Sequence, residues 1–144
     1  MARYCSGMTA AGAGAALRPP LGLLSTATVT PVLREVAMFN TSAVACTYRL
    51  VHFTGGTAGA AQVESRDRAN APPAVATAFG LWTADITVVE DTGWRMRLGA
   101  ADASATIITF GAAGLEGRLG ATAGLAMVAV GTGQICEVYY SWDE

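Results

Sequence analysis

Few residues of this chain are of the types that carry enzymatic chemistry. His52 is the only histidine, so a Ser-His-Asp or Cys-His catalytic pair would need it, and no nucleophile-elbow motif lies near it. The eleven carboxylates could supply a glycosidase-like pair, but Glu90 and Asp91 read as a turn, and Asp143 and Glu144 are the last two residues. We therefore predict no catalytic residues and a protein that is not an enzyme.

Glycine and cysteine motifs that would hold a cofactor or a metal are also missing. The stretches GGTAG and GTGQ lack the lysine of a phosphate-binding loop, and neither leads from a strand into a helix. Cys5, Cys46 and Cys136 are widely spaced and form neither a CxxC pair nor a Cys/His cluster. Cys46 and Cys136 lie in apolar strand patterns, which favours buried thiols and leaves a disulfide between them open. We predict no cofactor and no metal site.

The composition combines many apolar residues with few charges. The 144 residues are 52% hydrophobic and 14% charged, yet no run approaches the roughly 18 apolar residues of a membrane-spanning helix. A domain of this length buries only about two-thirds of its unfolded surface by itself, so we expect further burial against other copies or a larger scaffold. The net charge of −2, without a basic stripe, argues against nucleic-acid partners, and the N-terminus lacks the apolar core of a secretory signal.

The elements that position these residues are predicted to be strands. From Leu33 onward apolar and polar residues alternate with a period of two, and no segment keeps a helical period over three turns. Several short strands separated by Gly or Pro turns predict an all-β fold, an antiparallel β-sandwich or barrel of jelly-roll-like type. Hairpins are predicted at Asn40–Thr41–Ser42 and at Gly131–Thr132–Gly133, and a turn at Glu90–Gly93.

Residues 1–30 are rich in Ala, Gly, Ser, Thr and Pro and are predicted to form an extended N-terminal arm, with residues 31–144 forming the sandwich domain. The ESRDR segment, residues 64–68, lies in a long irregular section and is predicted to be a surface-contact loop. In the last strand, Tyr140 and Trp142 are predicted to be core residues and Tyr139 an exposed contact; Trp82 and Trp94 are also expected in the core. The predicted interface residues are Arg3, Tyr4, Leu17, Pro19, Pro20, Glu64, Arg66, Asp67, Arg68 and Tyr139.

Two longer segments resemble a known group of proteins. REVAMFNTSAVACTYRLV is similar to an early Arg-Glu-apolar-x-x-Phe-Asn-Thr hairpin, and GLAMVAVGTGQICEVYYSWDE is similar to a Gly-Thr-Gly hairpin leading to an aromatic, acidic end. Both are found in small structural proteins of tailed bacteriophages. The resemblance covers most of residues 33–53 and 124–144, and it implies a virion component assembled in the host cytoplasm, with no catalytic residues to carry over.

The leading hypothesis is a capsid decoration, or cement, protein that binds across major capsid subunits or another virion protein. It is expected to be a homo-oligomer, most simply a trimer, with apolar burial repeated at many joints. One alternative is a receptor- or carbohydrate-binding module of a head or tail fibre, which would use exposed aromatics and polar loop groups. Another is a tail or head-completion adaptor that caps a ring.

Overall fold

The computed structural model describes residues 2–9, 17–100 and 104–144, and these form two antiparallel sheets. Sheet A has the strand order β5-β1-β11-β3-β8, with β9 pairing beside β3. Its strands are β1 (Arg3–Thr9), β3 (Val32–Asn40), β5 (Ser65–Arg66), β8 (Ser104–Thr109), β9 (Leu115–Glu116) and β11 (Cys136–Asp143). Sheet B has the order β6-β2-β10-β4-β7. Its strands are β2 (Leu21–Leu24), β4 (Cys46–Thr54), β6 (Thr77–Gly80), β7 (Thr87–Leu98) and β10 (Ala123–Ala129).

The main core lies between the two sheets. Alternate residues of each strand point inward, and the largest fully buried side chains include Trp142 and Tyr140 from sheet A and Tyr48 from sheet B. The hydroxyl of Tyr140 crosses the core, donates to the carbonyl of Leu21 at 2.8 Å and accepts from the amide of Met127 at 2.9 Å. The prediction of an all-β antiparallel sandwich, with Tyr140 and Trp142 in its core, is confirmed.

A second apolar cluster covers the other face of sheet B. It consists of Val51, Phe53, Trp82, Ile86, Ala126 and Val128. The ring of Trp82 meets Phe53 edge-on, with centroids 5.2 Å apart, and its indole N–H donates to the carbonyl of Phe79. All seven residues of β10 are therefore buried, because a central strand with both faces covered needs no polar side.

The predicted N-terminal arm is wrong for the part of it that is described. Arg3–Thr9 forms β1 and pairs along its length with β11, while Leu21–Leu24 forms β2 between β10 and β6. Leu21 and Leu23 are fully buried. The sandwich thus includes these segments as well as residues 31–144, and the Ala/Gly stretch at residues 10–16 lies outside the described residues.

The two predicted hairpins are connections between the sheets. β3 lies in sheet A and β4 in sheet B, and β10 and β11 are divided in the same way. The buried side chain of Asn40 explains the first connection: its amide donates to the carbonyls of Val44 and Gly99 at 2.8 and 2.7 Å, and its oxygen accepts from the amide of Ser42. These bonds turn the chain out of one sheet and into the other.

The predicted turn at Glu90–Gly93 lies inside the continuous strand β7. The pairing of β7 with β4 shifts register twice, and the Asp91 carboxylate accepts from the amide of Gly93, which has a positive φ of 83°. The local turn chemistry therefore forms a bulge in a strand. Past this bulge Trp94 is 45% exposed, so its predicted place in the core is wrong, although its ring edge packs on Phe110.

Candidate functional site

Several predicted interface residues meet at one corner of sheet A, where they pair with each other. Tyr4 lies opposite Arg66 in the β1–β5 ladder. The amide of Arg3 donates to the Asp67 carboxylate at 3.2 Å, and the amide of Asp67 donates to the carbonyl of Arg3 at 3.0 Å. The ESRDR segment thus forms the edge strand β5 of sheet A, beside β1, and the start of the turn that follows β5.

Glu64 and Arg66 stabilise the loop that carries them. The Glu64 carboxylate accepts from the Arg66 guanidinium at 3.3 Å and from the amide of Ala74 at 2.9 Å. Arg66 also donates to the carbonyl of Ala71 at 2.8 Å. Both side chains therefore shape residues 64–74, while Asp67 and Arg68 are exposed at the surface.

Tyr4 is a core residue, which corrects its prediction as an interface residue. It is 2% exposed, its ring stacks on Trp142 with centroids 5.9 Å apart, and its hydroxyl donates to the carbonyl of Pro72. In the sequence, Tyr4 lies among small residues in a segment that was predicted to be an arm. Nothing in that local pattern indicated that the segment pairs with β11 and buries the ring.

The structure places Leu17, Pro19 and Pro20 away from this corner. They lead into β2 of sheet B, where the carbonyl of Leu17 accepts from the amide of Ile86 at 3.0 Å and Pro19 is buried. Pro19 is therefore not a contact residue, and these three residues belong to the segment that enters sheet B, whereas Tyr139 belongs to sheet A.

Asp143 forms the main ion-pair centre of sheet A. Its carboxylate is bound by Arg3 at 3.0 Å and by Arg34 at 2.6 Å, and its side chain is 8% exposed. Burial alone would raise the pKa of Asp143, but the hydrogen bonds and charges of the two arginines outweigh burial and hold that pKa below its usual value. Arg3 thus joins the first described strand to the last.

Tyr139 lies on the outer face of sheet A. The sequence did not predict which residues share this surface with Tyr139. The outer face consists of the residues of β1, β11, β3 and β8 that alternate with core residues: Arg3, Cys5, Gly7, Glu35, Ala37, Phe39, Ala105, Ile107, Thr109, Glu137, Tyr139, Ser141 and Asp143. Across its middle, Gly7, Tyr139, Ala37 and Ile107 lie side by side on four neighbouring strands. Phe39 and Ile107 are exposed large apolar side chains, at 39% and 57%.

The two sheets differ in how their outward surfaces are covered. Sheet B carries the cluster around Trp82 on its outward side, whereas neither apolar cluster of the described residues includes a side chain from the outer face of sheet A. A depression of about 270 Å³ on this face is lined by Phe39, Glu137 and Tyr139, among others. Its size suits one large side chain of a partner.

The missed residues Phe39 and Ile107 left only a weak signal in the sequence. Each sits next to a buried residue, Met38 and Ile108, so alternation places them on the opposite face. Alternation does not tell which face of a two-sided apolar strand is covered by the rest of the chain, and that depends on the tertiary structure.

His52 forms local contacts at the surface of sheet B. Its ring nitrogens lie 3.3 Å from the Glu90 carboxylate and 3.0 Å from the carbonyl of Glu116. In the described ranges, no three His, Cys, Asp or Glu side chains are grouped so that they could hold a metal. Within the same ranges, no helix has the length and apolar character to cross a membrane.

Comparisons with protein-family models, with curated proteins and with solved structures found no match.

Proposed function

We propose that this chain is a virion structural protein, a capsid decoration protein of a tailed bacteriophage, and that it binds the capsid through the outer face of sheet A. The observation that carries the proposal is that the Trp82 cluster covers part of the outward side of sheet B, whereas neither apolar cluster of the described residues covers the outer face of sheet A, on which Phe39 and Ile107 are exposed. The virion context comes from the resemblance of residues 33–53 and 124–144.

The shape and the exposed apolar side chains of the outer face indicate the chemistry of its partner. The charges of this face are mixed, because Glu35 and Glu137 carry carboxylates while Arg3 is paired with Asp143 at one end. A long side chain of the partner suits the depression, where its apolar part packs on Phe39 and Tyr139. The proposed occupant is therefore a capsid surface that presents apolar side chains.

The size of the outer face favours a repeated contact. Four strands with about three outward residues each span roughly 15 Å by 15 Å, and this area is smaller than the ~800 Å² per partner of a stable one-to-one interface. A single contact of this size is weak. An oligomer that presents several such faces to a regular lattice gains affinity by multivalency, which fits the expected trimer.

The test is sedimentation of the chain with capsids assembled from the major capsid protein of the same phage genome. The wild-type chain is expected to sediment with the capsids, and Phe39→Ser and Glu137→Arg are expected to raise the dissociation constant at least tenfold. The control is Val63→Ser, because Val63 is 90% exposed and is not in a strand that forms the outer face; this variant is expected to bind like the wild type.

Two results would overturn the proposal. One is a folded wild-type chain that does not sediment with the capsids, and the other is equal binding by all three variants. Size-exclusion chromatography of the free chain distinguishes capsid binding from self-association. If the wild-type chain is an oligomer that Glu137→Arg dissociates, the outer face is a contact between copies of this chain.

A cleft at the corner of sheet A supports a second candidate, a receptor- or carbohydrate-binding module. This cleft measures about 630 Å³ and is lined by Tyr4, Arg68, Asn70, Pro72 and Glu144, among others, which is the size range of small-molecule sites. A glycan array tests it directly: binding that Arg68→Ala abolishes and Glu137→Arg preserves would favour this candidate over the capsid proposal.

A further inference from the structure

Two buried thiols face each other across the sandwich. Cys46 is the first residue of β4 in sheet B, and Cys136 is the first residue of β11 in sheet A. Their sulfur atoms are 3.9 Å apart although the residues are 90 positions apart in the sequence. Cys46 is 8% exposed and Cys136 is fully buried, and both are free thiols.

We propose that Cys46 and Cys136 are a redox-active pair that closes to a disulfide joining the two sheets. A disulfide bond is about 2.05 Å long, so the two sulfurs must approach each other by about 1.9 Å from their present 3.9 Å. Both residues start a strand directly after an inter-sheet connection, residues 41–45 and 130–135. Side-chain rotation and adjustment of these connections supply the movement.

The surroundings of the pair indicate which thiol reacts first. Cys46 lines an open cavity of about 520 Å³ at this end of the sandwich, together with Arg97 and Gln134, whereas Cys136 is not in the lining. Among the described residues of that lining, Arg97 is the one that carries a charge, which favours an anionic reagent such as oxidised glutathione. Cys46 is thus the accessible thiol and Cys136 the resolving thiol.

The reaction is two thiol–disulfide exchanges. The thiolate of Cys46 attacks one sulfur of oxidised glutathione, which forms a mixed disulfide and releases one glutathione thiolate. The thiolate of Cys136 then attacks the sulfur of Cys46, which forms the Cys46–Cys136 bond and releases the second glutathione. One small disulfide is reduced to two thiols, and the protein dithiol loses two protons and two electrons.

Burial makes this exchange slow in the folded chain. Desolvation raises the pKa of the Cys46 thiol and raises the pKa of Cys136 to about 12, so thiolates are scarce at neutral pH. For a protein assembled in a reducing cytoplasm and then released, the bond would form after release. That consequence depends on the proposed function, whereas the pairing itself depends only on the geometry.

The test uses the full chain with Cys5→Ser, which leaves Cys46 and Cys136 as its two thiols. After incubation with oxidised glutathione and alkylation, we expect no alkylated cysteine, a loss of two hydrogens by mass and one cross-linked peptide containing both residues. Closing a loop of about 90 residues is expected to raise the melting temperature by about 10 °C relative to the reduced protein.

Single substitutions assign the order of the two thiols. Cys136→Ala is expected to accumulate a mixed disulfide with one glutathione on Cys46, while Cys46→Ala is expected to react far more slowly. Full alkylation of both thiols in Cys5→Ser after prolonged incubation would overturn the proposal, even if Cys46→Ala or Cys136→Ala failed to fold. Neither result depends on capsid binding, so failure of this inference is distinguishable from failure of the proposed function.

Discussion

The hydrogen bonds of the Tyr140 hydroxyl connect the two sheets, and a single substitution tests how much they stabilise the fold. It donates to the carbonyl of Leu21 and accepts from the amide of Met127, at 2.8 and 2.9 Å. These two groups lie just past the last β2–β10 pair, Gly22 with Ala126, and Tyr140 is fully buried. The hydroxyl therefore bridges the two backbone groups where the next hydrogen bond between β2 and β10 would form.

Tyr140→Phe removes this oxygen and changes nothing else in the side chain. Each buried backbone group left without a partner costs about 1–3 kcal/mol, so for the two groups we expect a loss of about 2–6 kcal/mol in the free energy of unfolding. For a chain of 144 residues this corresponds to a fall of roughly 7–20 °C in melting temperature.

The assay is urea unfolding under reducing conditions, followed by tryptophan fluorescence, with the m-value compared between variants. Tyr139→Phe is the matched control, because it makes the same chemical change one residue away, on the outer face of sheet A; we expect it to cost less than about 1 kcal/mol. A loss below about 1 kcal/mol for Tyr140→Phe would refute the reasoning, since it would mean that Leu21 and Met127 pair directly once the oxygen is gone.

Two further predictions concern the second cluster and the ion-pair centre. Trp82→Ala opens the cluster on sheet B and is expected to cost about 3–5 kcal/mol in urea unfolding; a cost near zero would show that the cluster does not stabilise the fold. Asp143 has a pKa lowered by Arg3 and Arg34 against the opposing effect of burial, so it stabilises the fold above its unfolded pKa of about 4, and this stability is lost as pH falls through its lower folded pKa. Asp143→Asn is therefore expected to flatten the decline of melting temperature between about pH 5 and 3, and parallel curves for the two proteins would contradict this.

Strands were predictable from the sequence, but their partners were not. Period-two alternation is local, so it located β3, β4 and β11 within a few residues. Whether the chain after Asn40 returns in the same sheet or crosses to the other depends on which backbone groups its side-chain amide reaches, and one of them, the carbonyl of Gly99, lies 59 residues away. Turn residues favour a change of direction without fixing the sheet into which the chain goes.

The N-terminal segment shows the same limit for a different reason. Leu21–Leu24 is too short to show a period, and Arg3–Thr9 mixes Tyr and Met with small polar residues. Their strand conformation is stabilised by β10 and β11, more than a hundred residues further along the chain. The low strand propensity of these two segments is therefore outweighed by their pairing with β10 and β11.

Because β1 and β2 are part of the sandwich, the high apolar content requires less burial against a partner than was expected from the sequence. The expected burial against neighbouring polypeptide was inferred from the apolar composition and the length of the chain, whereas the structure buries apolar side chains in two layers, on both sides of sheet B. Much of the surplus is thus accommodated within the chain itself. Among the large apolar side chains that stay exposed, Phe39 and Ile107 lie together with Tyr139 on the outer face of sheet A. In the proposed function this face binds the capsid, so substitutions there are expected to weaken capsid binding without unfolding the chain.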